Sequence, residues 1–360
     1  MEKQTVVSPQ KHKFPRGWFV IGSSDEYKKA ETKALKYFDQ EIVAFRGEDN
    51  QVYLLDAYCP HLGAHLAHGG KVEGNTIRCP FHAWQFQGKD GKCIDVPYAK
   101  RIPRKACVRS WQVVERNGLI LVWHDPDGGQ PDYEIPILAE YGKSGWTPWH
   151  LDRRTIKTHP REIVENVADE AHFKVVHHLK EVSYFENIYE NHTATQIMRG
   201  MGNHRPISTK ATYYGPAYQV TWMQSLVESR LVNAHTPIDE NSLHLWFGVM
   251  IQNEDFSEDD MVVIRKSLSH MGLPEEFVKS KENLDKIHQA IIQGTRQGYH
   301  EDVEIWEHKV YREVPLLCAG DGPIPKLRKW YSQFYQQPSA KTQRAINRES
   351  VTADSVADQL

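Results

Sequence analysis

The 360-residue sequence predicts an α+β protein, an all-β unit followed by a larger unit of sheet and helices. Three observations carry that expectation. From Gly17 to Trp123 the chain is a series of short β-type runs parted by Gly, Asn and Asp. A Pro/Gly/Asp-rich stretch, Asp125 to Pro131, then reads as a linker. Beyond about Ile135 the runs lengthen, and helix-type periodicity appears beside strand-type runs.

The elements follow in order. Residues 1–15 are polar, carry Pro9 and Pro15, and read as an arm. In the first unit (16–130), Glu41–Arg46 and Gln51–Leu55 are strand-like and flank a turn at Glu48-Asp49-Asn50. Lys71-Val72 and Trp84–Gln87 lead into further turns, and Gly118–Trp123 closes the set. In the second unit (131–335), Pro160 to His172 reads as one helix, with Pro160 at its start and acidic residues in its first turns. Tyr218–Met223 and Leu243–Ile251 read as strands, the latter apolar on both faces as a buried strand would be. Pro274 to about Tyr311 is helical in character. The tail, 336–360, is polar and poor in aromatics, and reads as disordered.

Composition excludes several classes. Lys+Arg is 44 against Asp+Glu 47, a net charge of -3 with no basic stripe, so nucleic acid is not an expected partner. No stretch approaches the ~18 apolar residues of a membrane-spanning helix. The first residues lack the apolar core of a signal peptide. Five cysteines then fit a reducing, cytoplasmic setting, in which cysteines serve more often as metal ligands than in disulfides. Nineteen histidines are unusually many, so position must decide which matter. No dinucleotide-binding fingerprint is present; Gly69-Gly70 and Gly128-Gly129 are turn glycines.

The strongest motif is Cys59-Pro60-His61, followed after 17 residues by Cys79-Pro80-Phe81-His82. A zinc finger usually takes two Cys from one knuckle and two His from another element. Here each Pro-containing loop offers one thiolate and one imidazole. Two Cys on one iron and two His on the other is the Rieske arrangement of a 2Fe–2S centre. A structural zinc site is the competing reading. Cys93 and Cys107 lack partners at metal spacing and read as small core residues. His65 and His68 read as surface residues or neighbours of the ligands.

A second constellation is Asn166, Asp169, His172 and His177. Asp169 and His172 share a helix face. His172 and His177 would lie about 140° apart on an unbroken helix, so they meet one metal only if the helix ends or bulges between them. Two imidazoles need a carboxylate to complete the facial triad of non-haem Fe(II). Asp302 is the best candidate, with Glu301 and Glu304 as rivals. A solvated acidic helix with incidental histidines is the bland alternative, and the upstream motif argues against it.

Together these features resemble the oxygenase component of a Rieske non-haem iron oxygenase, over about residues 15–335. The flanking text is most similar to 3-ketosteroid 9α-hydroxylase oxygenases and their sterol-modifying relatives. The resembling stretches are Val96–Arg101, Gly118–His124, Tyr184–Asn187, Glu301–Lys309 and Arg328–Tyr335. The resemblance implies a helix-grip second domain, an antiparallel sheet around a long helix with an apolar cavity over the iron. Trp222, Met223, Trp246, Phe247 and Met250 are candidates for its lining. Cys59, His61, Cys79 and His82 would hold the cluster; His172, His177 and Asp302 the mononuclear iron. Asp169 would bridge His172 to a cluster histidine of a neighbouring subunit in a homotrimer, and His178 would be a bystander. Electrons would come from a separate NAD(P)H-dependent reductase or ferredoxin, for hydroxylation of a hydrophobic, steroid-like substrate by O2. Desaturation of a sterol is the related alternative. A Rieske-type electron carrier without oxygenase activity is the alternative of another class.

Overall fold

The computed structural model describes residues 13–202, 206–225, 227–252, 262 and 284–335. The expected disordered tail, most of the expected arm, and the first part of the expected helical stretch from Pro274 lie outside these residues. Phe14, assigned to the arm, is buried in the first core.

Three small sheets form the N-terminal part. Strands β1 (Gly17–Ser23), β10 (Val113–Arg116) and β11 (Leu119–His124) make one, in the order β1-β11-β10. A second joins β2 (Thr32–Tyr37), β3 (Gln40–Arg46), β4 (Val52–Asp56) and β9 (Ser110–Trp111). A third is made of β5 (Lys71–Glu73), β6 (Thr76–Arg78), β7 (Gln85–Gln87) and β8 (Cys93–Asp95); the Cys59–His61 loop leads into it from β4, and the Cys79–His82 loop joins β6 to β7. At the β2–β3 turn, Phe38 and Asp39 have φ of 55° and 57°, the left-handed pair of a tight hairpin. A phenylalanine is costly there, and packing holds it: its ring stacks on His124 at 4.1 Å, and its N–H donates to the Pro237 carbonyl.

The C-terminal part is one seven-stranded antiparallel sheet in the order β12-β18-β17-β16-β15-β14-β13. Its strands are β12 (His150–Ile156), β13 (Glu181–Glu190), β14 (Thr193–Met201), β15 (Pro206–Tyr214), β16 (Tyr218–Gln224), β17 (Glu228–Pro237) and β18 (Leu243–Ile251). The single helix expected over Pro160–His172 is instead divided. α1 (Pro160–Val164) passes into a 3-10 turn at Glu165–Ala168, and α2 (His172–Val175) follows after a break. The long helix α3 (Leu284–His308) packs on β18 and β12, and α4 (Ile324–Ser332) covers the 3-10 turn. This is the helix-grip arrangement.

The stretch expected as a linker is pinned at both ends. Arg16 pairs with Asp125 at 3.1 Å and with Asp132 at 2.9 Å, and the Trp123 indole donates to the Gly129 carbonyl. Trp18, Leu121 and Trp123 share one buried cluster with Tyr218, Val232 and Trp246. The two parts therefore meet through a continuous apolar core, the main stabilising term at such a junction.

Candidate functional site

The cluster loops are near-copies. In each, the Cys N–H donates to the carbonyl five residues on: Cys59 to Ala64 at 2.9 Å, Cys79 to Trp84 at 2.8 Å. In each, the residue four after the Cys donates back to it and sits left-handed: Gly63 at φ 74° and Ala83 at φ 60°. Both thiols are buried and unpaired, and both rings lie together, with His61 and His82 centroids 4.7 Å apart. The Nδ1 atoms of His61 and His82 are buried without a hydrogen-bond partner. A buried, unsatisfied imidazole nitrogen is costly, and two beside two thiols form a donor set that a metal group satisfies. Burial pushes the Cys59 thiol up to about 11, a penalty that metal binding removes by displacing the proton. These residues fit a 2Fe–2S group with mixed ligands. Cys93 is buried as expected; Cys107 is exposed, its Sγ against the carbonyls of Asp90 and Val108. His65 accepts from the Ala67 N–H and lies tilted against His68, away from a ligand role.

The second centre answers the spacing problem. α2 ends at Val175, and the carbonyl of His172 accepts from both Val176 N–H at 2.7 Å and His177 N–H at 3.4 Å. That widened turn, followed by left-handed His178 (φ 54°), brings the two imidazoles to 5.1 Å between centroids. Candidate ligand atoms of His172, His177 and Asp302 all lie within 4.8 Å of one another. One hydrogen bond and two acid–imidazole contacts set the ring orientations. His172 Nδ1–H donates to the Asp169 carbonyl at 2.7 Å, which leaves Nε2 bare to bind. His177 turns Nε2 to Asp302 at 3.4 Å and Nδ1 to Glu301 at 3.7 Å. Asp302 is buried; Glu301 lies on the far nitrogen. Burial would lower His177, but Asp302 and Glu301 hold it above its ordinary value, a sign of the negative field a cation would neutralise. These three residues fit a facial-triad iron. Asp169 is partly exposed at the rim, its carboxylate accepting the His172 backbone N–H at 3.2 Å. Burial alone would raise its carboxyl, but hydrogen bonding to His172 leaves it below the usual range.

A cavity of about 470 Å³ opens beside the triad, walled by α2, α3 and one face of the large sheet. That volume lies in the range of small-molecule sites. Strand alternation selects the wall. Across the sheet, Gln196 pairs with Ala211, Ala211 with Thr221 and Thr221 with Leu231, and all four line the cavity. Met223 and Phe247 line it too, as expected. Trp222, Trp246 and Met250 do not; alternation turns them to the opposite face, where Trp246 joins the core beneath β1 and β11. On α3, Ile291, Thr295, Gly298, Tyr299 and Asp302 present one face to the cavity. A Cβ at Gly298 would meet nothing within 4 Å, so this glycine leaves open volume. The wall is mostly apolar but carries two enclosed polar atoms without a protein partner, Gln196 Nε2 and Thr209 Oγ1. The sequence reading missed both, though the period-2 run Ala194, Gln196, Met198 does place a polar residue on an apolar face.

Comparison with known proteins agrees with this geometry. Residues 17–112 match the Rieske [2Fe-2S] domain, and residues 122–277 and 271–335 match the 3-Ketosteroid 9alpha-hydroxylase C-terminal domain. A 3-ketosteroid-9-alpha-monooxygenase oxygenase component of Rhodococcus rhodochrous is 37% identical over 93% of this chain and 84% of its own. One from Mycobacterium tuberculosis is 33% identical over 95% of this chain and 87% of its own. A cholesterol 7-desaturase of Hemicentrotus pulcherrimus is 32% identical over 91% of this chain and 71% of its own. Among solved structures, the Pseudomonas putida CBB5 NdmA QL mutant with caffeine has the same fold, with a TM-score of 0.65 at 19% identity over 88% of this chain and 92% of that one. Dicamba monooxygenase bound to dicamba has a TM-score of 0.61 at 20% identity over 89% and 97%. Matched along nearly all of its described length, the chain belongs to the Rieske non-haem iron oxygenases with a 3-ketosteroid 9alpha-hydroxylase C-terminal domain.

Proposed function

We propose that this oxygenase component hydroxylates a 3-keto or 3-hydroxy steroid. The observation that carries the reading is the apolar cavity of about 470 Å³ opening on the His172, His177 and Asp302 triad. The named activity of the relatives, at up to 37% identity, supports the same substrate class. The iron groups of the family supply one-electron storage at the cluster and O2 activation at the mononuclear site. As an oxygenase component, the chain draws its electrons from a separate reductase.

The chain's own residues have definable tasks. Cys59, Cys79, His61 and His82 hold the cluster. His172, His177 and Asp302 would hold the mononuclear iron at the wall of the cavity, where it would supply O2 activation beside the bound substrate. The Asp169 carbonyl and the Glu301 carboxylate fix the two imidazoles through their Nδ1 atoms. The aromatic and aliphatic walls keep water from the reacting carbon, while Gln196 and Thr209 offer the few polar contacts that orient a mostly apolar ligand. The free cysteines are in keeping with a cytoplasmic site of action.

The substrate is tested by an anaerobic binding screen of steroids and small aromatic acids, read by perturbation of the mononuclear iron spectrum. Steroids should perturb it and be hydroxylated on exposure to O2. Turnover of aromatic acids with no steroid binding overturns the substrate class. Product analysis also decides the second reading, desaturation, which the cholesterol 7-desaturase relative favours.

Metal content is a separate prediction. Two irons in the cluster and one in the triad give about three per chain. Cys79→Ser should bleach the visible spectrum and drop iron to about one per chain, with far-UV circular dichroism unchanged. Zinc bound at the four Cys/His positions in iron-replete protein would contradict the assignment.

For assembly we propose a head-to-tail homotrimer. Leu62 and Phe81, at the tips of the cluster loops, are exposed apolar side chains. Between the triad histidines, Val175 is exposed as well, as are Val314 and Leu316 in the segment before α4. Gly322 packs so closely on the Ala168 carbonyl that a Cβ would lie 1.9 Å from it, which sets this glycine against the backbone on either side of Asp169. Apolar patches at both metal sites of one chain suit a heterologous interface closed by rotation.

A further inference from the structure

One stretch of the resemblance, Val96–Arg101, has no part in metal binding or in the cavity. It opens a densely basic, acid-free region in a chain whose net charge is only -3. From Val96 to Val114 the sequence holds Lys100, Arg101, Arg104, Lys105 and Arg109 and no acidic residue. Residues 98–105 are all exposed. Among the described residues, no carboxylate is paired with Lys100, Arg101, Arg104 or Lys105, whereas nearby Arg78 and Lys92 are paired with Asp95 and Asp90. A basic run is usually just a solvated surface. This one begins at Tyr98, and Tyr98 leads inward.

The Tyr98 hydroxyl accepts the Trp84 indole N–H at 2.8 Å. The Trp84 ring is buried and stacks face to face on His61, with centroids 4.7 Å apart and planes 10° apart. Tyr98 is itself exposed, and its ring lies 6.4 Å from His82. A continuous contact path therefore runs from solvent, through Tyr98 and Trp84, to a cluster histidine. Electron tunnelling falls steeply with distance through empty space, so such a path is where a donor should sit.

We infer that the strip from Tyr98 to Lys105 is the docking surface for the electron-donor protein, and that this partner presents an acidic face around its own redox centre. In the encounter, the donor loses one electron and the oxidised cluster gains one, with Tyr98 and Trp84 as the contact between them. Opposite charge raises the encounter rate and aligns the partners, and salt weakens both effects. The inference is independent of what the cavity binds.

The test uses a plant-type [2Fe–2S] ferredoxin, an acidic protein, as probe, with the full-length iron-loaded oxygenase. Two readouts are taken at low and high salt: binding of the oxidised ferredoxin by surface plasmon resonance, and stopped-flow reduction of the cluster by the reduced ferredoxin. For the unaltered chain, both should weaken about tenfold or more as ionic strength rises. The double variant Arg101→Glu, Lys105→Glu should bind and be reduced at least about tenfold more weakly at low salt, and should lose the salt dependence. Its cluster spectrum and its reduction by dithionite should stay unchanged. Tyr98→Ala should slow reduction by ferredoxin more than it weakens binding. If the double variant binds and is reduced like the unaltered chain, or if the unaltered chain reacts no faster at low salt than at high, the assignment is overturned.

Discussion

Asp302→Ala should empty the mononuclear site and reduce turnover to background, while the cluster keeps its spectrum and its two irons. The expectation rests on which nitrogen of His177 faces which acid. Nε2 faces Asp302 at 3.4 Å, whereas Nδ1 faces Glu301 at 3.7 Å. One imidazole cannot direct the same nitrogen to the metal and to an orienting acid, so the two carboxylates have different tasks. Asp302 is also the buried one of the pair, and a buried carboxylate among aromatic rings requires a compensating cation or donor. Glu301→Gln should leave the iron in place and weaken its binding by about 10- to 100-fold, the usual cost of losing a group that orients a ligand. Metal analysis by mass spectrometry and the EPR signal of the reduced cluster separate the outcomes. If Glu301→Gln empties the site while Asp302→Ala retains iron, the roles are reversed.

The candidate cluster ligands are legible in the sequence because their chemistry is local. Cys59-Pro60-His61 and Cys79-Pro80-Phe81-His82 place both ligand types within a few residues, and no fold knowledge is needed to see that each loop can straddle two metals. The triad was legible only in part. Five-residue spacing between His172 and His177 demands the break that falls at the end of α2, but a second break, before His172, is announced by no glycine or proline between 161 and 172. Tertiary partners make it: Asn166 Oδ1 accepts the Trp306 indole N–H at 3.1 Å, and the Asp169 carbonyl is taken by the His172 ring rather than by a helical N–H. A contact with a residue 140 positions away leaves no trace in local periodicity. The cavity lining was misjudged for a related reason. Trp222, Trp246 and Met250 are as apolar as Met223 and Phe247, and in a strand buried on both faces composition cannot say which side faces the ligand. The linker at Asp125–Pro131 had the residues of a hinge, but the Arg16 ion pairs that pin it come from a segment over 100 residues earlier.

Asp169→Asn should cut turnover by about 10- to 100-fold with both metal centres still loaded, because the residue acts through its neighbours and not as a ligand. Within one chain its carboxylate is held from the His172 side, by the backbone of Ala171 and His172. The backbone N–H of His172 reaches one oxygen at 3.2 Å, and the group is partly exposed at the rim of the site. An imidazole arriving from another chain's cluster could take the outward side, which would link the two metal centres across the subunit boundary. The decisive measurement mixes two inactive chains. Cys59→Ser removes the cluster from one, and Asp302→Ala removes the mononuclear iron from the other. Neither chain contains a complete pair of centres, so transfer confined to one chain gives no activity in any mixture. Transfer between chains restores activity at each boundary where an intact cluster faces an intact iron. With random assembly of equal amounts into closed three-membered rings, each chain has a one-in-two chance of being either variant, so about a quarter of all boundaries should be productive. A dead mixture, with hetero-trimers verified by native mass spectrometry, would rule out the inter-subunit path and leave Asp169 as an orienting residue for His172 alone. Placing Asp169→Asn on the cluster-deficient chain, whose mononuclear iron is the one in use, should abolish most of the recovery. The same substitution on the iron-deficient chain should change nothing, and that asymmetry separates an electron bridge from a general weakening of the trimer.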